Sequence, residues 1–329
     1  MSTLAPTLQS FFTERMAQQR QASQHTIAAY RDTFRLLLAF AEQKTGRAPS
    51  SLRLEDLDAP LVAAFLDHLE VDRHNSVRTR NARLAAVHSL FRFAAFRHPE
   101  HAALIQRVLA LPQKRGERNL VTFLDRTEID ALLGAPDRNR WVGRRDHVLL
   151  LTAVQTGLRV SEITSLTCQD IELGRGPHVR CRGKGRKERV TPLTDQTVAA
   201  LRTWLTELRG EPTDPLFPGP RNSSLTRDAV ALIVSKYAAV ASERCPSLAN
   251  KKISPHVLRH TCAMQLLQAG VDTSVIALWL GHESPETTQI YLHADLALKE
   301  RALARTAPPN TTPGRYHAPD ALLVFLERL

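Results

Sequence analysis

Apolar residues in the first third of the chain recur at helical spacing. Leu8, Phe11 and Phe12 open one pattern, and Ile27, Tyr30, Phe34, Leu37, Leu38 and Ala41 continue a second that ends near Gly46. Leu61–Leu69 gives a third helix and Thr79–Phe96 a fourth, with Leu84, Val87, Leu90, Phe91 and Ala94 on one side. Residues 7–109 therefore read as helical throughout. The opposite side of the fourth helix carries a basic stripe of Arg78, Arg80, Arg83 and Arg92.

Periodicity stops between Leu111 and Asn119, where Leu-Pro-Gln-Lys-Arg-Gly-Glu-Arg-Asn combines Pro, Gly and dense charge in the manner of a linker. Beyond it a second set of elements begins near Val121. Thr127 is the expected N-cap of a helix over Glu128–Leu133, and Gly143–Thr156 is a largely apolar helix with Gly157 at its C-cap. Val160–Leu166 reads as a short helix. Asp170–Leu173, His178–Cys181 and Arg189–Pro192 read as strands of a small sheet, the last two joined by the hairpin turn 182–188. Helices follow over Thr197–Leu208 and Leu225–Ser242, separated by a loop at Gly210–Ser224 rich in Pro, Gly, Asn and Ser. Ser254-Pro255 starts a helix that stops at Gly270, Asp272 opens another that Gly281 ends, and Ser284-Pro285 starts a third carrying Tyr291. The fold class is mainly α with a small antiparallel β-sheet. Four segments result: 1–110 helical, 111–120 linker, 121–305 a second domain, and 306–329 a Pro-rich flexible joint with an apolar helical tail.

Length and composition agree with about two domains around sizeable cores: 329 residues, 43% hydrophobic and 23% charged. The net charge of +11 changes the picture, because so large an excess of base fits a polyanionic partner. Cys168, Cys181, Cys245 and Cys262 form no C-x-x-C, which argues against a zinc ribbon and for reduced thiols. No basic segment followed by an apolar run opens the chain, and the longest apolar run, near Val148–Val154, is far too short to span a bilayer. A soluble intracellular protein is expected.

The chemistry lies in basic residues that precede one tyrosine. They are Arg159 in Thr156-Gly157-Leu158-Arg159-Val160-Ser161-Glu162, Lys184 in Gly183-Lys184-Gly185, then His256, Arg259 and His282, with Tyr291 nine residues further on. Arginines, a lysine and histidines suit a phosphate anion, and a tyrosine hydroxyl is a nucleophile toward phosphorus. His256, Arg259 and His260 fall at i, i+3 and i+4, on one helical face just inside a helix N-terminus. His260 reads as the structural histidine of that face, and Glu162 as an internal partner for a basic residue. No carboxylate cluster or Cys/His metal spacing accompanies the set, so metal-free phosphoryl transfer is expected, with no cofactor. With this site downstream, Arg78, Arg80 and Arg83 are expected to contact DNA phosphates.

His256-Val-Leu-Arg259-His260-Thr261, Leu280-Gly281-His282 and Tyr291, in order after the arginine box at 156–162 and the lysine hairpin at 183–189, resemble the tyrosine recombinase or phage integrase family over about residues 120–300. The N-terminal helices resemble that family's core-binding (SAM-like) domain more loosely. The resemblance implies that Tyr291 attacks a scissile phosphodiester to give a 3′-phosphotyrosyl link. It implies that Arg159 and Arg259 clamp the non-bridging oxygens, that His256 helps take the tyrosine proton, and that His282 donates to the charged phosphorane. Lys184 would protonate the departing 5′ oxygen, with Lys187 the alternative acid; Arg186 and Lys187 would touch DNA. It further implies double-stranded DNA with a specific recombination site as partner, a homotetramer on two such sites, cytoplasmic and nucleoid-associated location, and neither membrane nor small-molecule substrate. The run from Ile290 resembles integrases of mobile elements. Two other readings use the same residues: a type IB topoisomerase-like relaxing enzyme, and an inactive DNA-binding protein of the same fold.

Overall fold

The computed structural model describes residues 4–116, 121–183, 188–281, Thr288 and Tyr291. The chain divides into two compact units, Met1–Arg118 and Asn119–Leu329. No helix among the described residues is long and apolar enough to cross a membrane.

The first unit contains α1 (Leu4–Ser10), which runs on as a π-helical stretch over Phe11–Gln19, then α2 (Gln24–Thr45), α3 (Ala59–Val71), α4 (Val77–Ala95) and α5 (Ala102–Leu109). Short polar side chains start α2, α3 and α4. Ser23, Asp58 and Ser76 each accept a hydrogen bond from a backbone N–H of the first turn, and Gly46 ends α2 in the left-handed conformation. The core is aromatic at one end, where Phe11 lies within 6.0 Å of Phe34 and 5.7 Å of Phe93, ring centre to ring centre. Leu84, Val87, Leu90, Phe91 and Ala94 of α4 are all buried, as their spacing predicts.

The basic stripe of α4 is not uniform. Arg78 is exposed and Arg83 half-buried, but Arg80 is only 6% exposed. Its Nη1 donates to the Pro112 carbonyl at 2.9 Å and to Asn81, and its Nε stands 3.9 Å from Glu70. Asn81 in turn donates to the Lys114 carbonyl at 2.8 Å, and Lys114 Nζ reaches Glu70. Arg80 is thus taken up in fastening residues 112–114 onto α3 and α4, and the expectation that it contacts DNA is corrected: its guanidinium is buried and its Nη1 is held by the Pro112 carbonyl and Asn81.

The second unit contains α6 (Arg126–Gly134), α7 (Trp141–Thr156), α8 (Val160–Ser165), the strands β1 (Ile171–Glu172), β2 (His178–Arg182) and β3 (Glu188–Pro192), then α9 (Asp195–Leu208), α10 (Arg227–Ser242), α11 (Pro255–Gln268) and α12 (Thr273–Leu280). α6 starts two residues earlier than Thr127 suggested, because Asp125 and Glu128 form a reciprocal capping box. α7 is the central element. It packs against α6, α9 and α11, so Val148, Leu149, Leu150, Leu151, Ala153 and Val154 are buried around nearly its whole circumference. The sheet is antiparallel in the order β1-β2-β3, with Cys181 opposite Arg189 and Val179 opposite Thr191.

Two features tie this unit to α7. Asp146 is buried and accepts from Arg145 at 2.7 and 2.9 Å and from the Tyr237 hydroxyl of α10 at 3.0 Å, while Arg145 donates to the Pro218 carbonyl at 2.7 Å. At the other end, Gly157 closes α7 with φ +63°. A Cβ there would stand 2.7 Å from Leu280 Cδ2 and 3.1 Å from Cys262 Sγ. Both the backbone conformation and the close approach of α11 and α12 therefore require glycine.

Gly157→Ala is expected to destabilise the chain by about 2–4 kcal/mol, from left-handed strain plus overpacking, read by denaturant unfolding. Tyr237→Phe leaves one oxygen of a buried carboxylate unpartnered and is expected to cost about 1–3 kcal/mol. Burial, followed by the charge of Asp146, pushes the Tyr237 phenol up to about 12, above an unfolded value of about 10. Its contribution is fully present below pH of about 10 and is lost as pH rises toward about 12, so the alkaline decline in stability should be shallower in the Phe variant.

Candidate active site

Two helix C-termini meet inside the second unit, and each leaves backbone carbonyls without partners in its own helix. Side chains of neighbouring elements supply the donors. At the end of α7, the Gln155 carbonyl accepts from Cys262 Sγ at 3.3 Å, Thr156 from Trp279 Nε1 at 3.1 Å, and Gly157 from Arg259 Nη1 at 2.6 Å. At the end of α12, the Leu280 carbonyl accepts from Arg259 Nη2 at 2.5 Å and Arg189 Nη1 at 2.8 Å, and Gly281 accepts from Arg159 Nη2 at 2.9 Å. Cations are favoured at helix C-termini, where the backbone dipole presents its negative end. Three guanidinium groups are gathered in this way around one buried carboxylate, Glu162.

Glu162 holds the cluster together. It caps α8 by accepting from the Arg159 backbone N–H at 2.7 Å, and it also accepts from Arg159 Nη1 at 2.9 Å. Arg189 of β3 reaches both of its oxygens, at 3.1 and 2.8 Å. The sequence reading of Glu162 as an internal partner for a basic residue agrees with this arrangement. Three arginines against one carboxylate leave a surplus of two positive charges.

Tyr291 is 1% exposed and sits against this cluster. A 2.9 Å hydrogen bond joins its hydroxyl to His260 Nδ1, and the His256 ring lies edge-on to His260 at 4.2 Å between centroids. Burial pushes the phenol up to about 12, against the opposing pull of Arg259 and Arg159. Arg259 is brought down to about 10, by burial first and then by the nearby Arg159 and Arg189, and so remains charged at neutral pH. Cys262, driven up to about 12 by burial, is a neutral packing thiol there.

Of the residues singled out in the sequence, Arg159, His256, Arg259 and Tyr291 are thus brought into one neighbourhood. Lys184, Arg186, Lys187 and His282 lie outside the described residues. Arg78 and Arg83 belong to the first unit. Sequence reasoning missed two members. Arg189 is one, and its signal is an inverted alternation on β3, where Val190 is 57% exposed while Arg189 and Thr191 face inward. His260 is the other: it shares a helical face with His256, and only the position of Tyr291 decides which ring meets the hydroxyl.

Comparison with known proteins gives the site a setting. Residues 122–297 match the phage integrase family, and residues 10–98 match the N-terminal SAM-like domain of phage integrases. A putative integrase/recombinase of Sinorhizobium fredii, y4rC, is 57% identical over 328 residues, covering 100% of this chain and 99% of that one. The tyrosine recombinase XerC of Pelobacter propionicus is 35% identical over 301 residues, covering 90% and 93%. Among solved structures, the XerH site-specific recombinase bound to palindromic difH substrate in a post-cleavage complex is similar with TM-score 0.67 and 24% identity, over 87% of this chain and 81% of that one. The Tn1549 transposon integrase in complex with circular intermediate DNA is similar with TM-score 0.69 and 15% identity, over 93% and 100%. These two likenesses concern the fold. The family match and the curated relatives carry the assignment: the chain belongs to the phage integrase family and is a tyrosine-type site-specific DNA recombinase.

Proposed function

We propose that this chain binds duplex DNA at a specific recombination site and, in the service of integration or transposition, cuts and rejoins it with Tyr291 as nucleophile. The observation that carries the reading is the placement of the Tyr291 hydroxyl on a histidine beside a buried guanidinium cluster with surplus positive charge. The relative named as a putative integrase/recombinase, 57% identical over its length, supports the integration role.

Attack by the phenol oxygen on phosphorus forms a phosphorane with two negative charges on its non-bridging oxygens. Arg159 and Arg259 each commit two of five N–H bonds to protein acceptors, which leaves a planar set of donors for those oxygens. The phenol must lose its proton as the bond forms, and His260, already bonded to it, is the acceptor the geometry favours, with His256 packed behind. By resemblance, His282 donates to the phosphorane and Lys184 protonates the leaving 5′ oxygen. The 3′-phosphotyrosyl link conserves the bond, so a 5′-hydroxyl from another strand can reverse the step. Tyr291 is 1% exposed, so cleavage requires the phenol to be uncovered when DNA binds. Arg78, Arg83, Arg186 and Lys187 contribute phosphate contacts, and four protomers act on two sites.

Incubation with nicked suicide duplexes from flanking DNA tests the reading. A protein–DNA band that survives denaturant is expected from the parent, unchanged by chelation of divalent metal, and none from Tyr291→Phe. Arg259→Lys keeps the charge but loses the fork that spans the Gly157 and Leu280 carbonyls, and should slow adduct formation about 100-fold. An undiminished adduct in Tyr291→Phe would refute the assignment of the nucleophile.

A further inference from the structure

Glu162 takes one side-chain hydrogen bond from Arg159 but two from Arg189. The two arginines differ in environment. The Arg189 side chain is 11% exposed and forked across both carboxylate oxygens, whereas Arg159 is 33% exposed and touches only Oε1 through its side chain. Arg189 also donates to the Leu280 carbonyl at 2.8 Å. Its Nη1 lies so close to Gly281 that a Cβ there would stand 2.6 Å away. The approach of this guanidinium therefore depends on glycine at the turn that ends α12.

Such a geometry has an electrostatic consequence. In a buried setting a carboxylate paired with Arg159 alone would cancel that arginine's charge and hold its donors. We propose that Arg189 is a positioning residue that absorbs the charge of Glu162 from the buried side, leaving Arg159 a surplus cation directed at the scissile phosphate. Arg189 itself touches neither substrate nor reacting atoms in this scheme. The inference rests on the reading of Arg159 as a phosphate ligand. With Arg159, Arg189 and Arg259 against Glu162 the cluster carries a surplus of two charges. Arg189→Gln lowers the surplus by one, and adding Glu162→Gln restores it without restoring the guanidinium.

The sign of that restoration separates this role from a purely structural one. Adduct formation on a suicide duplex is compared for the parent, Arg189→Gln, Glu162→Gln and the double variant, with site affinity and thermal melting measured alongside. Arg189→Gln is expected to bind DNA nearly as the parent does, to form adduct about 100-fold more slowly, and to regain at least about tenfold when Glu162→Gln is added. Should Arg189→Gln fail to fold, Arg189→Lys replaces it, with an expected loss of about tenfold and the same direction of rescue. A parental rate in the single variant, or a double variant no faster than the single, overturns the proposal. Arg159→Ala serves as the control for the reading beneath it. If Arg159→Ala cleaves at the parental rate, the phosphate-ligand assignment fails; if it is inactive while the Arg189 series shows no rescue, the inference about Arg189 alone fails.

Discussion

The catalytic unit depends on a problem that every buried helix end poses: its last carbonyls must find donors. Here the ends of α7 and α12 come together, and three arginines, just before α8, on β3 and on α11, supply most of those donors. Donors with permanent charge, rather than neutral ones, make the same contact do two things. They satisfy the carbonyls, and they concentrate positive charge where an anion can be received. Glu162 keeps this arrangement tolerable, since guanidinium groups packed side by side would otherwise repel. Removing one partner from such a buried set costs roughly 3–5 kcal/mol, so the geometry of the site and the stability of the unit are hard to separate.

The ionisation behaviour follows from the same packing. Burial lowers Arg259 to about 10 and raises Tyr291 to about 12. At neutral pH the arginine is therefore charged and the phenol protonated. A phenol in that state is a poor nucleophile, so the proposed attack by Tyr291 would draw on its 2.9 Å bond to His260. On the proposed role of Tyr291 as nucleophile, proton removal would be coupled to attack, and the surplus positive charge of the cluster would stabilise the phenolate and the phosphorane alike.

Much of this was legible in the sequence because it is local. Gly46, Ser254 with Pro255, Gly157 and Gly281 mark helix ends through the chemistry of caps, and they stand where expected. The boxes that hold Arg159, Arg259 and Tyr291 are equally local, and their order along the chain carried the family resemblance. What escaped depends on tertiary placement. Arg80 lies in the same stripe as Arg78, yet its neighbours Glu70 and the Pro112 carbonyl come from elsewhere in the fold and turn it inward. His256 and His260 are one turn apart, and the choice between them is made by an element more than thirty residues away. Arg189 looked like part of a charged hairpin, although Val190 pointing outward beside it was a sign that the strand's inner face is polar. Asp125 and Glu128 were a readable capping box that Thr127 obscured.

We propose that surplus charge in this cluster, rather than arginine shape alone, receives the phosphate. The most direct measurement compares Arg159→Ala with the parent on two suicide duplexes, one with an ordinary scissile phosphate and one with a neutral methylphosphonate at that position. Loss of Arg159 removes one positive charge from the site, and the methylphosphonate removes one negative charge from the substrate. The variant is expected to form adduct about 100–1,000-fold more slowly than the parent on phosphate, and most of this deficit is expected to disappear on the methylphosphonate. An equal deficit on both substrates, in a variant that melts normally, would contradict it.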